Sequence, residues 1–198
     1  LAAASCGLCL GLELGEIAAA LRCARGVKGR VEVVPTPTAY TVLIDYAHSP
    51  NALENVLLTA RDFTAGRLVC LFGCGGDRDR TKRPLMGAVV RELADVAVVT
   101  SDNPRTEDPW AILEDILAGM GGPGGEIHIE PDRPQAIRWA LAQGRPGDVI
   151  VLAGKGHETY QEINGVQYPM DEREIVAEYF EKQAKRRERA GNFPAGVV

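Results

Sequence analysis

Four short apolar runs in this chain each end in a polar loop marked by glycine or proline, and that repetition limits the fold more than anything else in the sequence. Val42-Leu43-Ile44-Asp45 runs into Tyr46-Ala47-His48-Ser49-Pro50-Asn51, and Arg67-Leu68-Val69-Cys70-Leu71-Phe72 into the stretch from Gly73 to Pro84. Residues 94–100 run into Ser101-Asp102-Asn103-Pro104-Arg105, and Asp148-Val149-Ile150-Val151-Leu152 into Ala153-Gly154-Lys155-Gly156-His157-Glu158. Runs of this length and β-branched content read as strands covered on both faces. The pattern predicts strands near 41–45, 67–72, 96–100, 126–129 and 148–152, with helices near 50–62, 82–93, 109–119, 132–143 and 172–185. Strands alternating with helices of ten or more residues give an α/β fold with a doubly wound, mostly parallel, Rossmann-like sheet. Ser49-Pro50, Asp108-Pro109 and Asp171 with Glu174 mark helix starts, and Asn164-Gly165 marks a small hairpin after the fifth strand.

Such a sheet binds ligands outside the carboxyl ends of its strands, so the four loops define one binding edge. Arg105 is placed there as an anion clamp, because a guanidinium can grip a carboxylate through two charge-assisted bonds. Gly73, Gly75 and Gly76 allow tight turns and offer backbone N–H groups, with Arg78, Arg80, Lys82 and Arg83 close in sequence. Neither a Gly-x4-Gly-Lys-Ser/Thr loop nor a complete Gly-x-Gly-x-x-Gly is present, since position 78 is Arg. Trp110 and Trp139 are expected in the core, Asp77 and Asp79 as partners of neighbouring arginines, and His157 as an organiser of its loop.

The chain has 198 residues, 45% hydrophobic and 25% charged, with a formal net charge of −5. The acidic balance argues against general nucleic-acid or membrane-surface binding, and no apolar run approaches the roughly 18 residues of a membrane span. The five cysteines are odd in number and mostly in apolar runs, which predicts reduced thiols in a core; Cys6-x-x-Cys9 lacks a second pair for zinc. Residues 1–10 and 13–25 have helical period, and the first of these reads as a buried helix cut at its start, in a chain that is a piece of something longer. A composition shift at Pro35-Thr36-Pro37-Thr38 places a domain boundary near 37, and residues 186–198 read as a tail whose last dozen positions are disordered.

The loops, in this order, resemble the C-terminal domain of the Mur ligases, most nearly the branch that adds 2,6-diaminopimelate. The resemblance rests on Gly29-Arg30-Val31-Glu32, Asp45-Tyr46-Ala47-His48, Phe72 to Pro84, Asp102-Asn103-Pro104-Arg105 and Gly154-Lys155-Gly156-His157-Glu158, and runs to about residue 180. Ser49 and Asn51 depart from it, standing where the family often has Thr and Asp. It implies that residues 1–36 end a central ATPase domain, whose P-loop and carbamylated lysine precede residue 1, and that 37–185 form the C-terminal domain. It further implies ATP-dependent amide formation in peptidoglycan synthesis in the bacterial cytoplasm. The carboxylate of a UDP-N-acetylmuramoyl dipeptide is phosphorylated by ATP with Mg2+, and the amine of meso-diaminopimelate attacks the acyl phosphate. Asn103 and Arg105, within the specificity motif Asp102-Asn103-Pro104-Arg105, would grip the distal end of diaminopimelate, and Arg78 a ligand carboxylate. Gly154 and Glu158 would receive the distal ammonium, and Arg30, Tyr46 and His48 would face ATP. No catalytic residue and no metal ligand is assigned to this chain, which alone is expected to be inactive. A lysine- or glutamate-adding relative, and a non-catalytic nucleotide- or phosphate-binding α/β module, are the alternatives; Arg105 argues against lysine, which has no distal carboxylate.

Overall fold

The computed structural model describes residues 2–24 and 26–191. Helices α1 (Ala2–Cys9) and α2 (Leu14–Cys23) precede strands β1 (Glu32–Val34), β2 (Thr41–Asp45), β3 (Leu68–Phe72), β4 (Val96–Val99), β5 (Glu126–Ile129) and β6 (Val149–Ala153). The strands lie side by side in the order β1-β2-β6-β3-β4-β5. Only the edge pair β1–β2 is antiparallel; the others are parallel. Helices α3 (Pro50–Arg61), α4 (Lys82–Leu93), α5 (Pro109–Leu117) and α6 (Arg133–Gln143) make the crossovers. A separate hairpin, β7 (Tyr160–Ile163) and β8 (Val166–Pro169), leads to α7 (Glu172–Gly191). This is the doubly wound sheet with a small hairpin that the alternation predicts.

The pleat sorts the strand residues into two cores. Leu43, Cys70, Phe72, Val99 and Val151 pack beneath α3, α4 and α5, while Val42, Ile44, Val69, Leu71, Ile150 and Leu152 pack beneath α6 and α7. Each such side chain, removed from water, contributes about 1.5–3 kcal/mol, which is why β2, β3, β4 and β6 read as unbroken apolar runs. The Ser49, Asp108 and Asp132 side chains accept from the backbone N–H groups of Ala52, Trp110 and Gln135, each with proline in the first turn of its helix. Because α6 crosses to the second face and β6 inserts between β2 and β3, the loops leaving β2, β6, β3 and β4 become neighbours on one edge.

Some expectations change. α1 buries only Gly7, against Ile17 of α2, and Leu8, Leu10, Leu12 and Leu14 are exposed, so the first segment is not a buried helix. Cys6, Cys9 and Cys23 are exposed and only Cys70 and Cys74 are buried, although all five are unpaired. Trp110 is 53% exposed because it sits in the first turn of α5, outside that helix's buried face. Trp139 stacks on His128 at 3.7 Å beside the second core. The division at residue 37 falls in the connection between β1 and β2, two strands of one sheet. α7 runs on through Gly191, past the expected end at 185, and the remainder of the expected tail, 192–198, lies outside the described residues. Among the described residues no helix is long and apolar enough to cross a membrane.

Candidate functional site

The loop after β4 supplies the floor of a cleft of about 260 Å³ at the carboxyl edge of the sheet. Asp102 and Asn103 are buried there, and Arg105 adopts a left-handed backbone at φ 52°. That conformation, costly for a residue with a Cβ, is held by the hairpin: Arg105 N–H donates to Glu162 O at 3.0 Å and Asn164 N–H to Arg105 O at 2.8 Å. The Arg105 side chain is partly committed. Its Nε donates to Glu162 Oε2 at 3.1 Å and its Nη1 to Gly76 O at 2.8 Å, while Nη2 makes no protein hydrogen bond among the described residues. Arg105 is therefore a braced guanidinium with one open corner, not a free fork.

The loop after β3 closes one side. Its glycines serve close approach more than anion binding: Gly76 N–H donates to Asn103 O at 2.9 Å, and a Cβ on Gly76 would overlap the Pro104 carbonyl. Of the four basic residues, only Arg78 and Lys82 line the cleft. Arg78 is exposed and folds back on Asp77 O at 3.0 Å; Lys82 donates to His48 O at 2.8 Å. Arg83 is fully buried and binds Glu107 at 2.8 and 3.0 Å and Asp115 at 2.9 Å, and Arg80 joins the same acids. The bond from Arg83 holds the Glu107 carboxyl down at about 2. Asp77 accepts from Thr106 and Asp79 from Thr81, so neither pairs with an arginine as the sequence had implied.

After β6, Gly154 takes φ 114° with the space of its missing Cβ facing Asp102 Oδ2, and Glu158 is half-buried at the cleft. After β2, Asp45 accepts from Ala47 N–H and, at 2.8 Å, from the N–H of Val31, tying residues 29–31 to this edge. Arg30 then lies 5.0 Å over the Tyr46 ring, whose other neighbours are His48 at 4.7 Å and His157 at 5.3 Å. Burial pushes the Tyr46 phenol above its ordinary value, reinforced by the charges of Glu158 and Asp102. Ser49 caps α3, as the Ser49-Pro50 pair predicts.

Arg78, Asp102, Asn103, Arg105, Gly154, Glu158, Tyr46 and His48 thus line one cleft; Pro104 does not line it, and Arg30 adjoins it only through the Tyr46 ring. Its charge is mixed: Arg78 and Arg105 flank Gly75, Lys82 reaches His48, and Asp102 and Glu158 adjoin the buried Lys155. Such a cleft suits a ligand carrying both carboxylate and ammonium groups. Cys74 also lines it, but burial pushes that thiol up to about 12, so it offers no thiolate. Among the described residues no group of three or more His, Cys, Asp or Glu is arranged for a metal ion.

The residues that support the cleft carry little signal in the sequence. Lys155 is fully buried beneath Asn103 and Glu158, although it stands in the Gly-Lys-Gly-His-Glu loop in plain view. Arg133 and Glu172, both fully buried, form an ion pair at 2.8 Å, and Arg133 donates to Ser101 O and Ala153 O at the ends of two cleft loops. Their separation of 39 positions carries no sequence signal.

Residues 29–156 match the family model described as Mur ligase, glutamate ligase domain. Over 178 residues, 90% of this chain, the sequence is 50% identical to UDP-N-acetylmuramoyl-L-alanyl-D-glutamate–2,6-diaminopimelate ligase of Bacillus cereus, of which it covers 36%. A solved structure under the same enzyme name superposes with a TM-score of 0.77 at 40% identity, covering 88% of this chain and 36% of that one. UDP-N-acetylmuramate-alanine ligase of Thermotoga maritima, 21% identical over 92% of this chain and 36% of its own, shares the fold at a TM-score of 0.61. The chain therefore spans about a third of the length of the relatives it matches. Sheet order, loop sequences and these likenesses agree, and the chain belongs to the Mur ligase family.

Proposed function

We propose that this chain forms the amino-acid-binding part of an ATP-dependent ligase that adds meso-diaminopimelate to UDP-N-acetylmuramoyl-L-alanyl-D-glutamate in peptidoglycan synthesis, in the bacterial cytoplasm. The observation that carries the reading is the mixed charge of the cleft, lined by Arg78 and Arg105 beside Gly75 and by Glu158 beside Asn103. Diaminopimelate has a carboxylate and an ammonium at each end, so it needs guanidinium donors and an acidic acceptor a few ångströms apart. In this reading Arg78, Asn103 and the open corner of Arg105 take carboxylate oxygens, and Glu158 with the Gly154 backbone takes the distal ammonium.

The wall of Arg30, Tyr46 and His48 fits the ATP side: a guanidinium suits ribose or phosphate oxygens, and the rings offer an apolar edge. Among the described residues no acidic cluster is arranged for Mg2+, and the metal and the nucleotide-linked dipeptide belong to the rest of the ligase, whose nucleotide site these residues complete on one side. The dipeptide carboxylate takes the γ-phosphoryl group, ADP leaves, and the amine displaces phosphate while losing a proton. This chain's share is to hold that amine in line, an effect of proximity that closure of the cleft completes.

The test is phosphate release by the complete ligase with dipeptide and ATP. Release should depend on meso-diaminopimelate and be poorly supported by lysine. Equal use of lysine, or release indifferent to either amino acid, would overturn the reading.

A further inference from the structure

Lys155 has no access to solvent, sits directly behind the cleft, and has no part in the reading above. Its Nζ donates to Asn103 Oδ1, to Tyr160 O at 2.7 Å and to Glu158 Oε2 at 3.2 Å, and lies 3.4 Å from Asp102 Oδ1. An ammonium has three protons and accepts nothing, so these partners use it fully. The Asn103 amide is locked as a result. Its Oδ1 also accepts from Glu162 N–H at 2.9 Å, and its Nδ2 donates to Glu158 Oε2 at 3.0 Å. Turning the amide over would aim its NH2 at an ammonium and at a backbone N–H, leaving buried donors without acceptors. Asn103 therefore meets a ligand only as a donor. Charge is set as well: Asp102 and Glu158 carry two negative charges, and Lys155 removes one of them.

We propose that Lys155 is a positioning residue that sets what this end of the cleft accepts. By fixing Asn103 as a donor and cancelling one carboxylate charge, it selects a terminus bearing one ammonium with a carboxylate beside it, and disfavours a lone alkylammonium. The identity of the ligand rests on the proposed function; the orientation of Asn103 does not.

Two measurements separate these parts. In nuclear magnetic resonance spectra of the 198-residue chain without ligand, the Asn103 side-chain NH2 protons should exchange slowly, and Lys155→Met should speed them by about tenfold or more. In the complete ligase, Lys155→Met should raise the KM for diaminopimelate roughly 10- to 100-fold, with the KM for ATP nearly unchanged. The diaminopimelate-to-lysine ratio of kcat/KM should fall by about tenfold or more, and in an Asn103→Ala background the same substitution should change KM clearly less than in the wild type, because only the charge effect remains. A fall in Tm and kcat with the ratio unchanged, equal in both backgrounds, would mean Lys155 only supports the fold and would overturn the proposal. Should Lys155→Met not fold, Asn103→Asp decides, since it keeps an oxygen for Lys155 and Glu162 N–H but replaces the donor. It should lose diaminopimelate and shift selectivity toward lysine; retained selectivity would overturn the proposal. A wild-type ligase indifferent to the choice of amino acid would refute the functional reading, while the exchange measurement would still decide the amide orientation.

Discussion

Replacing Arg133 with methionine should be among the most damaging single changes in this chain, and its cost should depend on pH. The guanidinium is fully buried and donates to Glu172 through Nε at 2.9 Å, to Ser101 O at 3.2 Å and to Ala153 O at 2.7 Å. Methionine fills much of the volume but supplies no donor. Removing one member of a buried ion pair costs about 3–5 kcal/mol, because the other charge stays buried without compensation. At about 2–4 °C per kcal/mol for a chain of this size, Tm should drop by roughly 6–20 °C. Burial already holds the Glu172 carboxyl above its ordinary 4.5, with Arg133 acting in the opposite direction. Without Arg133 it rises further. A folded-state value above the unfolded one means that the folded chain takes up a proton first as pH falls, so the variant regains stability between its raised folded value and the unfolded value near 4.5. Urea unfolding at pH 8 and pH 5 measures this, with the larger deficit expected at pH 8. Arg133→Met combined with Glu172→Leu should be less damaging at pH 8 than Arg133→Met alone, because no orphaned charge is left. An equal loss at both pH values, or a double variant equal to the sum of the singles, would refute the reasoning.

Glu107→Gln should cost about 1.5–3 kcal/mol near neutrality by weakening the bond to buried Arg83. Because the Arg83 bond depresses the Glu107 carboxyl from 4.5 to about 2, its stabilisation is full above 4.5 and is lost as pH falls through 2. The gap between wild type and variant should therefore close across that window, and a constant gap in urea midpoints would count against the assignment. Gly76→Ala should cost about 1–3 kcal/mol by forcing the Gly73–Gly76 loop off the Pro104 carbonyl; an unchanged Tm would show that the close approach is dispensable. Arg105→Ala in the complete ligase should cut the preference for diaminopimelate over lysine on the order of 10²-fold, chiefly by losing diaminopimelate activity. Unchanged selectivity in competition assays would remove Arg105 from that role.

What the sequence exposes and what it hides follow from locality. The strands were legible because β2, β3, β4 and β6 are buried on both faces, and the helix starts because Ser49 and Asp108 cap within their own turns. The loops that meet in the cleft were legible because parallel strands send their carboxyl ends to one edge. Side-chain direction was not. Nothing in Arg78-Asp79-Arg80-Thr81-Lys82-Arg83 says that Arg83 turns inward to Glu107 and Asp115 while Arg78 faces the cleft, since that depends on which turn of α4 meets α5. The same holds for Arg105, whose partner Glu162 arrives from a hairpin 57 positions on. Trp110 reads as a core residue because an aromatic beside apolar residues looks the same whether it faces inward or not.

The hairpin bears on how such a cleft can change. β8 is exposed along its whole length and β7 is only half-buried, yet β7 supplies the backbone and carboxylate partners that hold Arg105 in its left-handed turn. The segment that aims the guanidinium is thus one of the least constrained by packing. Substitutions in the Asn164-Gly165 turn or along β8 disturb no core side chain, yet they act on the ribbon whose other strand braces Arg105. On the proposed role of Arg105, this outer ribbon offers a way to adjust selectivity while the cleft's own residues stay the same, and exchanging hairpins between relatives tests it without touching the lining.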